Sequence, residues 1–156
     1  MILPVIAYGT PVLKYKAKEI SSDYPALDQL ISDMYETMYD ASGVGLAAPQ
    51  IGKSIRLFVI DTSPFDNDDF EKESGFEVTS LKKTFINPVM IDEFGDNSSF
   101  EEGCLSIPNI RSKIDRKSEI KIKYQDESFV THEEDLSGIL ARVIQHEYDL
   151  SLIHIW

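Results

Sequence analysis

Two residues near the C-terminus carry the strongest chemical signal in the chain. His146 and Glu147 continue an apolar stripe formed by Leu136, Ile139, Leu140 and Val143, so both are expected to point inward from a helix. A His-Glu pair on an apolar helix face is half of the H-E-x-x-H pattern, in which two His one turn apart hold a metal and the Glu works on its bound water. The second His would fall at residue 150, which is Leu150. Far upstream stands the single cysteine, Cys104, in FEEGCLSIP (residues 100–108). A lone Cys beside Gly is ordinarily a buried filler. With an inward His-Glu pair downstream it becomes a candidate ligand, because thiolate and imidazole suit zinc or ferrous iron.

The elements that must position these groups follow from patterning. Residues 136–149 read as a buried helix, with Asp135 as its N-cap. A second helix is expected after Ser22 or Asp23, with Pro25 in its first turn and a stripe of Leu27, Leu30, Ile31, Met34 and Met38 ending near Gly43. The segment GVGLAAPQIG (43–52) has little side-chain bulk, so another backbone can approach it, and Gln50 is its one polar side chain able to donate a hydrogen bond. It lacks the Lys and the spacing of a phosphate loop.

Arg56–Asp61 reads as a buried strand, and residues 62–80 as an acidic solvated loop. Thr84–Met90 and Ile91–Phe94 read as strand segments broken at Asn87-Pro88 and followed by a turn at Gly95. Ile120–Tyr124 alternates, and pairs with Phe129–Thr131 through a Gln125–Ser128 turn. Residues 1–20 read as an extended arm. This order of elements predicts an α+β fold, with antiparallel strands around a central C-terminal helix, rather than a doubly wound sheet.

Composition narrows the class. A chain of 156 residues that is 42% hydrophobic can build one core. Its net charge of −12 argues against a nucleic-acid groove or an anionic membrane as the main partner. One cysteine excludes an internal disulfide and fits a reducing, cytoplasmic setting. The N-terminus has no basic region before an apolar run, and no apolar stretch is long enough to cross a bilayer.

Three short motifs in fixed order, GVGLAAPQ (43–50), EGCLS (102–106) and QHEYD (145–149), resemble those of the bacterial peptide deformylases. GTPVLKYKAKEI (9–20) and IKIKYQD (120–126) extend the resemblance over nearly the whole chain to Asp149, as a single domain 1–149. The resemblance implies hydrolysis of the N-formyl group from the initiating methionine of new polypeptides. It implies Cys104 and His146 as metal ligands, with a third His expected at 150. The ion it implies is ferrous iron, with zinc or nickel as other occupants. Glu147 would serve as general base and acid. Gln50 and the backbone N–H of Leu105 would stabilise the oxyanion. Gly43, Val44 and Gly45 would pair with the peptide substrate as an added strand. Proximity to the ribosome is a further implication.

The chemistry suits those residue types. A metal brings bound water toward a pKa of about 7, and Glu147 can take that proton and return it to the leaving amine. Donors aimed at the developing oxyanion are worth roughly 3 kcal/mol each.

Position 150 departs from the pattern. His154 cannot supply the missing ligand, since eight residues of helix is about 12 Å of rise against a metal–nitrogen distance of about 2 Å. Asp149 is a poor substitute. LSLIHI (150–155) resembles a translated sequencing-adaptor peptide, and residues 150–156 are expected to be a non-native or aberrant tail on a truncated copy. Three functions therefore stand together: a deformylase-family hydrolase impaired in this chain, a catalytically dead homologue that binds peptides, and another H-E-x-x-H hydrolase such as a metalloprotease. GVGLAAPQ and EGCLS disfavour the third.

Overall fold

The computed structural model describes residues 2–4, 17–41, 43–63, 81–104 and 107–152, with side chains described outside 98–114 and 149–152. Its elements run α1 (Leu27–Asp40), β1 (Gly45–Ala47), a short 3-10 turn (Ala48–Ile51), β2 (Leu57–Asp61), β3 (Lys82–Cys104), β4 (Ile107–Gln125), β5 (Thr131–Ser137) and α2 (Gly138–Leu152). The five strands form one antiparallel sheet in the order β1-β2-β3-β4-β5, so the fold is α+β as expected.

The two helices cover the two faces of this sheet, and the alternation of β2 shows how. Phe58 and Ile60 pack with Ile139, Leu140, Val143 and Ile144 of α2, whereas Leu57 and Val59 pack with Leu30, Ile31, Met34 and Met38 of α1. Successive strand residues point to opposite faces, so this strand, covered on both sides, is apolar along Leu57–Ile60, and all five β2 residues, the terminal Asp61 included, are buried. Fully burying one such side chain contributes about 1.5–3 kcal/mol. On the α2 side, Phe85 stacks on Phe58 at 4.7 Å and meets Tyr124 at 4.4 Å between centroids.

Several local expectations are corrected. Asp135 does not cap α2: β5 stays paired with β4 through Ser137, and the helix starts at Gly138, whose φ of 65° makes the corner. Leu136 is therefore a strand residue. Neither Ser22 nor Asp23 caps α1; the cap position is Ala26 in a left-handed conformation, with no side-chain cap bond. β3 is continuous where two segments were expected. It passes Asn87-Pro88 as a bulge, with Asn87 at φ 49° and the ladder slipping between Ile86 and Val89, and it bulges again between Phe94 and Asn97 instead of turning at Gly95. The partner of Ile120–Tyr124 is His132–Leu136, not 129–131, because the turn reaches Val130. Asp126 organises that turn by accepting the Ser128 and Val130 N–H groups and by meeting His132 Nε2 at 2.7 Å. Of the N-terminal arm, Lys18 bridges to Ile55; expectations for residues 1, 5–16, 64–80 and 153–156 lie outside the described residues.

Candidate active site

The site is built from two segments that the fold presses together: the stretch from α1 into the 3-10 turn, and the last turns of α2. α2 lies against β1, β2, β4, β5 and the 3-10 turn. Its inward face carries Ile139, Ala141, Ile144 and Glu147, all buried. Glu147 is 4% exposed, and His146 beside it is half-buried. Gln145, in the same motif, is buried as well. Its amide donates to the Lys117 carbonyl at 2.9 Å and to the Ala141 carbonyl at 3.0 Å, tying α2 to β4.

The glycine-rich stretch is ordered by its own backbone. The Gly43 N–H returns to the Met38 carbonyl at 2.9 Å and closes α1. The Val44 carbonyl accepts the Asp61 N–H at 2.9 Å, and Gly45 pairs with Ile60. Gly45 and Ala47 then face α2, while Leu46 faces α1. Gln50 is buried, and its Oε1 accepts the Ala47 N–H at 3.0 Å. That bond fixes which end of the amide is an acceptor and directs Nε2 away from Ala47.

Glu147 reaches this stretch directly. Its side chain lies so close to Gly45 that a Cβ there would sit 2.7 Å from Glu147 Oε1. Gln50 and Glu147 thus converge on one segment, the first through Ala47 and the second at Gly45. Cys104 closes β3 opposite Ile107, so the β3–β4 hairpin carries it at its far end; its side chain and Leu105 lie outside the described residues.

A divalent metal held by three protein donors is a demanding test of this arrangement. Among the described residues no three His, Cys, Asp or Glu side chains group closely enough to hold an ion. The donors expected from the sequence are Cys104 and His146, and position 150, one turn beyond His146 on α2, carries a leucine with no donor atom. Catalytic sites of this kind use three protein ligands. Position 150 therefore adds no donor atom to whatever His146 can reach.

Patterning missed two buried polar residues of α2. Gln145 was legible only as part of a motif; a polar residue within a buried helix face is the signal that it has a structural acceptor. Arg142, 3% exposed, gave no signal beyond its place in an apolar helix.

Comparison with known proteins places these residues in a family. A family model described as polypeptide deformylase matches residues 2–151. The peptide deformylase of Christiangramia forsetii is 53% identical over 150 residues, covering 96% of this chain and 76% of that protein. That of Salinibacter ruber is 42% identical over 149 residues, covering 96% and 75%. Among solved structures, the peptide deformylase of Thermotoga maritima superposes with a TM-score of 0.82 at 37% identity, over 97% of this chain and 92% of that one. A class I type b peptide deformylase of Acinetobacter baumannii bound to Met-Ala-Ser gives 0.86 at 29% identity, over 99% and 96%.

Proposed function

The chain belongs to the peptide deformylase family, and from that premise we propose how its own residues divide the work of the reaction and where this copy falls short. The family's members are metal-dependent hydrolases that remove the N-formyl group from newly made polypeptides. The observation that carries the assignment of roles is the meeting of Glu147 and Gln50 on the β1 segment.

Glu147 is the general base and acid. It takes a proton from the attacking water and delivers it to the amine that leaves as the formyl C–N bond breaks. Gln50 donates from Nε2 to the former carbonyl oxygen, joined by the Leu105 N–H. The Ala47 bond supports this role, because an amide whose orientation is already fixed needs no reorganisation when charge develops. Gly43, Val44 and Gly45 offer the substrate a backbone. β1 stands at one end of the sheet, so its outer edge can take an extended peptide as a further strand.

Cys104 and His146 are the two donors for a divalent ion, ferrous iron, with zinc or nickel as alternatives. With Leu150 in the third place the ion is held weakly, and the chain is an impaired hydrolase within a single catalytic domain spanning 1–149. The protein works in the cytoplasm, close to the ribosome, where formylated chains emerge; among the described residues no helix is long and apolar enough to cross a membrane.

Metal affinity tests the donor assignment. Competition with a chromogenic chelator is expected to rank Leu150→His above the parent by at least tenfold, and the parent above Cys104→Ser and His146→Ala. Equal affinity in all four proteins would remove Cys104 and His146 from the metal-binding role.

A further inference from the structure

β1 holds a glycine where its backbone does not require one. Gly45 sits inside an antiparallel ladder opposite Ile60, and the described glycines with positive φ are Gly52, Gly95 and Gly138. An alanine could adopt the Gly45 conformation without strain. What excludes a side chain is another residue. A Cβ at Gly45 would lie 2.7 Å from Glu147 Oε1, 2.8 Å from its Cγ and 2.9 Å from its Cδ. All three nearest atoms belong to this one side chain.

We infer that Gly45 is a positioning residue: the recess left by its missing Cβ seats the Glu147 carboxylate and sets where that carboxylate stands. The inference rests on the reading of Glu147 as the proton carrier. A glycine in this stretch is readily taken as room for a substrate backbone; here the room is filled by the protein's own acid. The contrast with Gly95 is useful. There φ is +81°, so the backbone itself selects glycine, whatever its neighbours.

Glu147 has little freedom to yield. It is 4% exposed and stands on a helix whose adjoining turn is packed, with Val143 and Ile144 both buried. A methyl group at Gly45 would have to push Oε1 from 2.7 Å to an ordinary contact of about 3.4 Å, a displacement of roughly 0.7 Å. Misplacing a reacting group by about 1 Å can lower turnover on the order of 10²-fold. Gly45→Ala is therefore expected to reduce kcat by about 10- to 100-fold while the fold persists.

A double-mutant cycle on the full chain tests the recess without needing turnover. Urea midpoints are compared for the parent, Gly45→Ala, Glu147→Ala and the double variant. In the parent, Gly45→Ala is expected to lower the midpoint. In the Glu147→Ala background, where the three contacting atoms are gone, the same change is expected to raise it, because alanine restricts the unfolded chain more than glycine does. Shifts of the same sign and size in both backgrounds would overturn the inference.

A kinetic arm in the Leu150→His background, with a formyl-Met-Ala-Ser peptide, addresses positioning. Gly45→Ala should lose its 10- to 100-fold in kcat with KM held within about twofold. A loss confined to KM would mean that Gly45 acts on substrate directly, and would overturn the positioning role, as would an unchanged kcat. Failure of the proton-carrier reading shows separately, as full turnover in Glu147→Gln with the sign reversal in urea intact.

Discussion

Replacing Gln50 by alanine removes the acceptor that holds the Ala47 N–H, and the structure sets the size of the effect. Both residues are buried, and the bond between them is 3.0 Å long. A buried donor left without its partner costs about 1–3 kcal/mol, far more than a surface hydrogen bond would contribute. For a chain of 156 residues each kcal/mol moves the melting temperature by roughly 2–4 °C. Gln50→Ala should therefore melt about 2–12 °C below the parent when followed by circular dichroism. Its urea slope should be unchanged, since the same surface is exposed on unfolding. In the Leu150→His background the same change should lower kcat by about 10²–10³, the usual effect of deleting one oxyanion donor. A melting temperature within about 1 °C of the parent would refute the reasoning, because the amide could not then be anchored at Ala47.

A second prediction concerns pH. Burial alone would raise the Asp61 carboxyl, but the Tyr39 hydroxyl, donating at 2.6 Å, and the Ser63 N–H at 2.9 Å hold it below the usual carboxylate value. A folded pKa below the unfolded one contributes stability that is complete above about pH 4 and is lost as pH falls through the folded value. Tyr39→Phe should cost about 1 kcal/mol at neutral pH, and the gap to the parent should close below about pH 4 in a thermal titration; a constant gap would argue against the Asp61 bond. In the core, Phe85→Ala should cost about 3–5 kcal/mol by urea unfolding, since it empties the stack between Phe58 and Tyr124 under α2; a loss below about 1 kcal/mol would mean that this seat is not packed as described.

Much of the scaffold could be read from periodicity, because burial on one face imposes it. The α1 stripe from Leu27 to Met38 and the apolar β2 run came out where the pattern placed them. What failed was local. Asp135 resembles a helix cap, yet β5 pairing with β4 carries the chain two residues further before Gly138 turns it. Asn87-Pro88 looks like a strand breaker, but the Asn87 side chain bonds the Ile20 backbone and Gln125, and these tertiary contacts hold the bulge. The burial of Glu147 was legible because it prolongs an apolar helix face. The anchoring of Gln50 at Ala47 depends on the exact 3-10 geometry, and the approach of Glu147 to Gly45 joins segments far apart in sequence. Neither leaves a mark on hydrophobic pattern.

The proposal at the centre is that Glu147 carries the proton at a deformylase site that Leu150 leaves one metal donor short. Hydrolysis of formyl-Met-Ala-Ser by the parent, by Leu150→His and by Leu150→His with Glu147→Gln tests it most directly. The account predicts weak turnover in the parent, a rise of at least tenfold on restoring the donor, and loss of that gain when Glu147 is neutralised. Equal rates in all three proteins would contradict it.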